Sequence, residues 1–251
     1  MSEEKNLPIP VKANELTTLP NSSWPTVMAT DLFNLHGKSH LSCVEYASFE
    51  CMNLESHLCE ILNCSKSKIP VTDLAQLDTV VARNKKISSL KGLEHAVKLK
   101  KIDLGVNQIR SIEPILSIRS LEKIVLAKNQ IQDLAGIEQL SQLTELNFRD
   151  NPLGDIKPLN ELNCLKKLVL TNVPIRSFEP IANLKKLELL SIGWSLESSD
   201  QIDETNPDKL FDILSSFSQL KELHLSEEPM SQNQVLKLRK KLPGCLIPDN
   251  H

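Results

Sequence analysis

LKKIDLGVNQI (Leu99–Ile109), LEKIVLAKNQI (Leu121–Ile131) and LTELNFRDNPL (Leu143–Leu153) are three consecutive statements of one pattern, with apolar residues at positions 1, 4 and 6. Working outward, the same spacing begins at Leu77 and continues through Leu165 and Leu187, each unit starting 22 residues after the last, until Leu220 follows after 33. A fixed period of this size marks a solenoid, because one turn of chain cannot bury its own apolar face and must stack on its neighbours. The pattern builds a surface and carries no chemistry of its own.

The columns of the repeat agree with one another. Position 11 holds Ile87, Ile109, Ile131, Leu153 and Ile175, and position 14 holds Leu90, Ile112, Leu134, Ile156 and Phe178. Position 20 holds Ala96, Ile118, Leu140, Leu162 and Leu184, so all three columns are expected to point inward. Position 16 alternates between Gly92, Gly136 and the prolines Pro114, Pro158 and Pro180, which predicts a short return arm of at most one helical turn. Position 9 holds Asn107, Asn129 and Asn151, whose amides suit the backbone groups of a buried bend and predict a structural asparagine ladder. The ladder lapses at Val173, Ser195 and Glu228, so the later repeats are expected to be less regular.

The flanks read differently. Residues 1–42 carry Pro8, Pro10, Pro20 and Pro25 without a sustained period and suit a flexible arm. Over 43–76, Val44, Ala47, Cys51, Leu54, Leu58 and Ile61 follow at helical steps, and a second short helix is expected near Thr72, with that threonine as its cap. This pair would cover the first rung of the repeats, which run over 77–230. The long last spacing contains Asn206-Pro207 followed by Leu210, Phe211, Ile213, Leu214 and Phe217, a helix with an asparagine cap. In 231–251, Ser231 and Gln234 have capping-box spacing ahead of Val235, Leu238 and Leu242, predicting a terminal helix that closes the far end.

Alternation along the strand puts positions 3 and 5 on the face opposite the core. Position 3 reads Thr79, Lys101, Lys123, Glu145, Lys167, Leu189 and Glu222, and position 5 reads Val81, Asp103, Val125, Asn147, Val169, Ser191 and His224. The partner-binding candidates on this concave face are Trp194, Lys101, Lys123, Val125, Arg149, Lys167, Val169 and His224. Tryptophan and arginine dominate interface energetics, which puts Trp194 first; the alternative is that it packs under the insert before Leu220. The lysines would match an acidic partner, or form an ordinary solvated face.

Composition removes several function classes. Lys+Arg 29 against Asp+Glu 32 gives a net charge of −3, so no field draws in nucleic acid. No run of 18 apolar residues occurs and the N-terminus lacks a charged-then-apolar layout, so neither membrane insertion nor general secretory export is expected, and the producing cell's cytoplasm is the expected compartment. Phosphate-cradling, metalloprotease and nucleophile-elbow motifs are absent, no cofactor is implied, and a catalytic role is not expected. The six cysteines include Cys43, Cys51, Cys59 and Cys64 close to His57; free thiols are expected, with a metal or disulfide cluster as the alternative. A thiol-dependent enzyme using this segment, with the repeats choosing substrate, is the competing function, and a purely structural subunit is a third.

The stretch ILNCSKSKIPVTDLAQLDTVVARNKKISSLKGLEHAVKLKKIDLGVNQI (61–109), with the later IEPI (112–115) and IKPL (156–159) turns, resembles the internalin-type bacterial leucine-rich repeat proteins. The resemblance runs from about Leu54 to Leu190. Similar 22-residue units occur in a regulatory subunit of a eukaryotic protein phosphatase. The resemblance implies a curved right-handed solenoid whose concave sheet binds a protein partner, without enzymatic activity in the repeats. Together with the columns and flanks above, the expected fold is an α/β solenoid, a leucine-rich repeat horseshoe with a concave parallel β-sheet and helical caps at both ends, and the chain is expected to be monomeric alone. The export signal, wall anchor and immunoglobulin-like module that often accompany such repeats are not found, which makes surface display unexpected. A bacterial effector delivered into a host cell and a cytosolic adaptor are both expected settings.

Overall fold

The computed structural model describes residues 44–64, 68–193, 207–226 and 230–248. The expectations for residues 1–42, Cys43, Trp194, Ser195, Asn206 and Glu228 fall outside the described residues.

Each LxxLxL unit forms one strand. They are β1 (Thr79–Val81), β2 (Lys101–Asp103), β3 (Lys123–Val125), β4 (Glu145–Asn147), β5 (Lys167–Thr171), β6 (Leu189–Gly193) and β7 (Glu222–Ser226). Among the described residues these seven make one parallel sheet in sequential order. The register follows the repeat, so Thr79, Lys101, Lys123, Glu145, Lys167, Leu189 and Glu222 face one another in succession. A 22-residue unit has no room for a long crossover helix. Its return arms are single 3-10 turns, such as Leu93–His95 and Glu113–Ile115.

The two special residues at position 16 solve the same bend in different ways. Pro114 sits in the first turn of its segment, where its missing N–H costs nothing. Gly92 instead enters the turn at φ 102°, and a Cβ there would clash with the Phe49 ring. Positions 1, 4, 6, 11, 14 and 20 all point into one continuous core, in which Phe148 and Phe217 are the largest fully buried side chains. Burial of this kind drives the stacking, and truncating a central rung such as Leu146 to alanine costs about 2–5 kcal/mol.

Four helices flank the sheet in the described residues: α1 (Met52–Leu62), α2 (Val71–Leu74), α3 (Pro207–Ser215) and α4 (Gln232–Lys241). The helical stripe expected from Val44 onward begins later. Ala47 N–H donates to the Ile69 carbonyl and Val71 N–H to the Glu45 carbonyl, both at 2.9 Å, so residues 45–47 are an extended partner of 69–71. Within α1 the buried side chains are Leu54 and Leu58, while Ile61 is 40% exposed and Leu62 takes the place on the core expected of it. The second helix also starts earlier than expected, with Pro70 at its N-cap; Thr72 lies inside it and its hydroxyl donates to Asp73 instead. α3 buries Leu210 and Leu214, and α4 opens on a capping box in which Ser231 and Gln234 exchange hydrogen bonds with each other's backbone N–H.

Both edges of the sheet are covered. His57 Nε2 donates to the Val81 carbonyl at 2.8 Å on β1. After α4 the chain returns to β7, where Leu223 N–H meets the Leu246 carbonyl and Leu246 N–H meets the Lys221 carbonyl. Such cover prevents an edge strand from templating another chain.

Candidate functional site

One face of the sheet is spent on the core, so the other, built from positions 3, 5 and 7, is what the repeat displays. None of the side chains at positions 3 and 5 is buried. Val81 is 53% exposed, and Val125 and Val169 are half-buried in the same row.

The charges on this face pair across strands. Lys123 Nζ lies 2.6 Å from one oxygen of Glu145 and Lys167 Nζ lies 3.1 Å from the other, so a single carboxylate bridges β3, β4 and β5. Partial burial pushes the Glu145 carboxyl up, and the two lysines outweigh it, leaving its pKa below the ordinary value. Lys101 is exposed and has no ion-pair partner among the described residues. Arg83 reaches Asp103 at 3.1 Å, and Arg149 reaches its neighbour Asp150 at 3.1 Å. Asn172 Nδ2 donates to Asp150 at 2.7 Å, and His224 Nε2 lies 2.6 Å from Glu222. The exposures are unequal within these pairs: the Arg83, Lys123, Arg149 and Lys167 side chains are 41–53% exposed, against 26% for Asp103 and Glu145. The cations stand outward and the carboxylates lie between them.

Thus Lys101, Lys123, Val125, Arg149, Lys167, Val169 and His224 occupy one face. Trp194, the first candidate, lies outside the described residues. The bridging role of Glu145 and the tucked position of Asp103 were missed, although the position-3 column already sets Glu145 between Lys123 and Lys167. A depression of about 300 Å³ lined by Thr79, Val81, Lys101, Asp103, Lys123 and Glu145 lies on this part of the face. That volume is at the bottom of the range for small-molecule pockets, and the face suits a macromolecular contact better.

Below the face lies the asparagine column. Asn107 Oδ1 accepts the N–H groups of Lys85 and Ile87, and its Nδ2 donates to the carbonyls of Ala82 and Leu104. Asn129 likewise joins Ile109 N–H to the Leu104 and Leu126 carbonyls, and Asn151 joins Ile131 N–H to those of Leu126 and Phe148. Each amide ties its own bend to the previous repeat.

The cysteines are placed as follows. Cys51 is 5% exposed within the core, out of reach of a substrate. Burial raises its thiol pKa, and the backbone N–H groups of Ser88, Leu54, Ser89 and Asn53 more than offset that, leaving it below the ordinary value. Burial and the neighbouring Cys59 push the Cys64 thiol up to about 11, which makes it a poor nucleophile. Cys51, Cys59, Cys64, Cys164 and Cys245 are free thiols, and no group of three metal-binding side chains occurs among the described residues.

Comparison with known proteins agrees with the repeat reading. A family model described as leucine-rich repeats in two copies matches residues 119–161. The crystal structure of internalin C2 from Listeria monocytogenes superposes with a TM-score of 0.63 at 21% identity, over 78% of this chain and 81% of that one. Internalin F from the same organism gives 0.53 at 18% identity, over 79% of this chain and 68% of that one. No curated protein matches the sequence significantly. The chain is a leucine-rich repeat solenoid of the internalin type in its fold. No helix among the described residues is long and apolar enough to cross a membrane.

Proposed function

We propose that this leucine-rich repeat chain is a non-enzymatic interaction module that binds a protein partner on the open face of its sheet. The observation that carries the reading is the array of position 3 and 5 side chains across β1 to β7, none of them buried among the described residues, set on a backbone whose other face is locked into the core. A rigid sheet presents such side chains without the ordering cost that a loop surface incurs on binding. Lys101, Lys123, Val125, Arg149, Lys167, Val169 and His224 form the contact surface in this reading, with Trp194 as its aromatic anchor. The buried Cys51 and the high Cys64 pKa disfavour the thiol-enzyme alternative. An effector delivered into another cell and a cytosolic adaptor use the same face, and the chain acts alone as a monomer.

The test is affinity capture from lysate with the intact chain, Trp194→Ala, and the double substitution Lys123→Gln with Lys167→Gln. Glutamine is chosen because glutamate at both sites would set three carboxylates in register on β3, β4 and β5. A partner held by the intact chain and lost by both folded variants is the expected result. Equal retention by all three moves the site off this face.

A further inference from the structure

We infer that the open face receives an acidic amphipathic α-helix lying across the strands, a conclusion that rests on the binding face proposed above. The spacing of the apolar row carries the geometric half of the argument. Val81, Val125 and Val169 stand at one position of β1, β3 and β5, with Asp103 and Asn147 between them in register. Every second strand puts successive valines about 9.6 Å apart, twice the inter-strand distance of about 4.8 Å. Residues seven apart on an α-helix lie on one side and are separated by about 10.5 Å. Same-side residues of an extended strand repeat every ~6.7 Å, which meets the valine row out of step. A helix with apolar residues at i, i+7 and i+14 therefore meets all three valines, and an extended segment does not.

Charge supplies the other half. Lysines at position 3 flank the valine row on one side, and Arg83 and Arg149 at position 7 flank it on the other. Positions 3, 5 and 7 of the five units that begin at Leu77, Leu99, Leu121, Leu143 and Leu165 thus carry five cations against two carboxylates, in a chain whose overall charge is −3. The exposure difference reinforces the count, since the cations project and Asp103 and Glu145 are 26% exposed. An apolar stripe bordered on both sides by Asp and Glu is the complementary partner surface.

The experiment is selection of a displayed library of helix-forming 20-residue peptides on the full chain, followed by fluorescence anisotropy with the enriched peptides. Enriched sequences are expected to carry apolar residues at seven-residue spacing with acidic flanks. Their affinity should fall at least tenfold for Val125→Glu, and also for Lys101→Gln with Lys123→Gln, and should weaken with added salt. The double lysine change preserves the apolar row and serves if Val125→Glu does not fold. Enrichment of basic, proline-rich or unpatterned peptides overturns the proposal, as does an absence of enrichment. If such other binders are still lost with the open-face substitutions, the binding face stands and the acidic helix falls. Binders indifferent to every open-face substitution overturn both.

Discussion

The early and late repeats of this solenoid meet the same requirement by different means. Between β1 and β4 the bend after each strand is held by asparagine side chains, and the strands are three residues long. From β5 the strands lengthen to five residues, and Val173, 1% exposed, stands in the asparagine column. There Thr171 and Ser191 share a hydroxyl contact at 2.8 Å, while Ile175 N–H turns back to the Val173 carbonyl. One half stitches neighbouring repeats through buried amides, and the other relies on a longer ladder and apolar filling. The comparison teaches that leucine rungs define the fold, whereas polar satisfaction of the bend is negotiable.

The sharpest way to break this contrast is Asn129→Val, which imposes the late solution on an early bend. It strands Ile109 N–H, while the Leu104 and Leu126 carbonyls keep the amides of Asn107 and Asn151, and we expect a loss of about 1–3 kcal/mol in urea unfolding, the penalty for one buried unsatisfied group. A loss below about 1 kcal/mol would mean that water replaces the amide. Next in size is Val106→Asn. Val106 holds φ 60° in the position where Asn84 and Asn172 hold φ 53° and 56°. A β-branched residue is strained there and asparagine is not, so the variant should gain about 1 kcal/mol. Smaller still is Glu145→Gln, worth under about 1 kcal/mol for a partly exposed pair. Because the Glu145 pKa is lowered in the fold, its contribution is present above the ordinary value of 4.5 and lost as pH falls through the lower folded value. Melting curves of wild type and Glu145→Gln should therefore differ at pH 7 and converge in acid. Finally, amide exchange should rank Ile87, Ile109 and Ile131, whose N–H groups are held by asparagine, as slower than Ile175.

How much of this was readable beforehand depends on whether a signal repeats. The rungs at Leu99, Ile102 and Leu104 recur in register, so strand order and sheet face follow from period alone. Val44 and Ala47 occur once, and helical spacing over two residues cannot be told from an extended pair whose partner, Ile69 to Val71, lies elsewhere in the chain. Thr72 has a capping side chain but the wrong place, because Pro70, extended at φ −60° and ψ 136°, already stands at the start of the turn. On the displayed face, the columns located the lysines, but not that Glu145 would sit low between them, which is a matter of side-chain reach.

The covered edges at Val81 and Leu246 have a consequence for how such a chain changes through inheritance. Because every interior unit meets its neighbours through the same register, a tandem duplication of 22 codons placed between β2 and β3 would restore each contact with an equivalent one and leave both ends untouched. Reach thereby becomes a genetic variable that moves in steps of about 4.8 Å, while the termini remain fixed fittings.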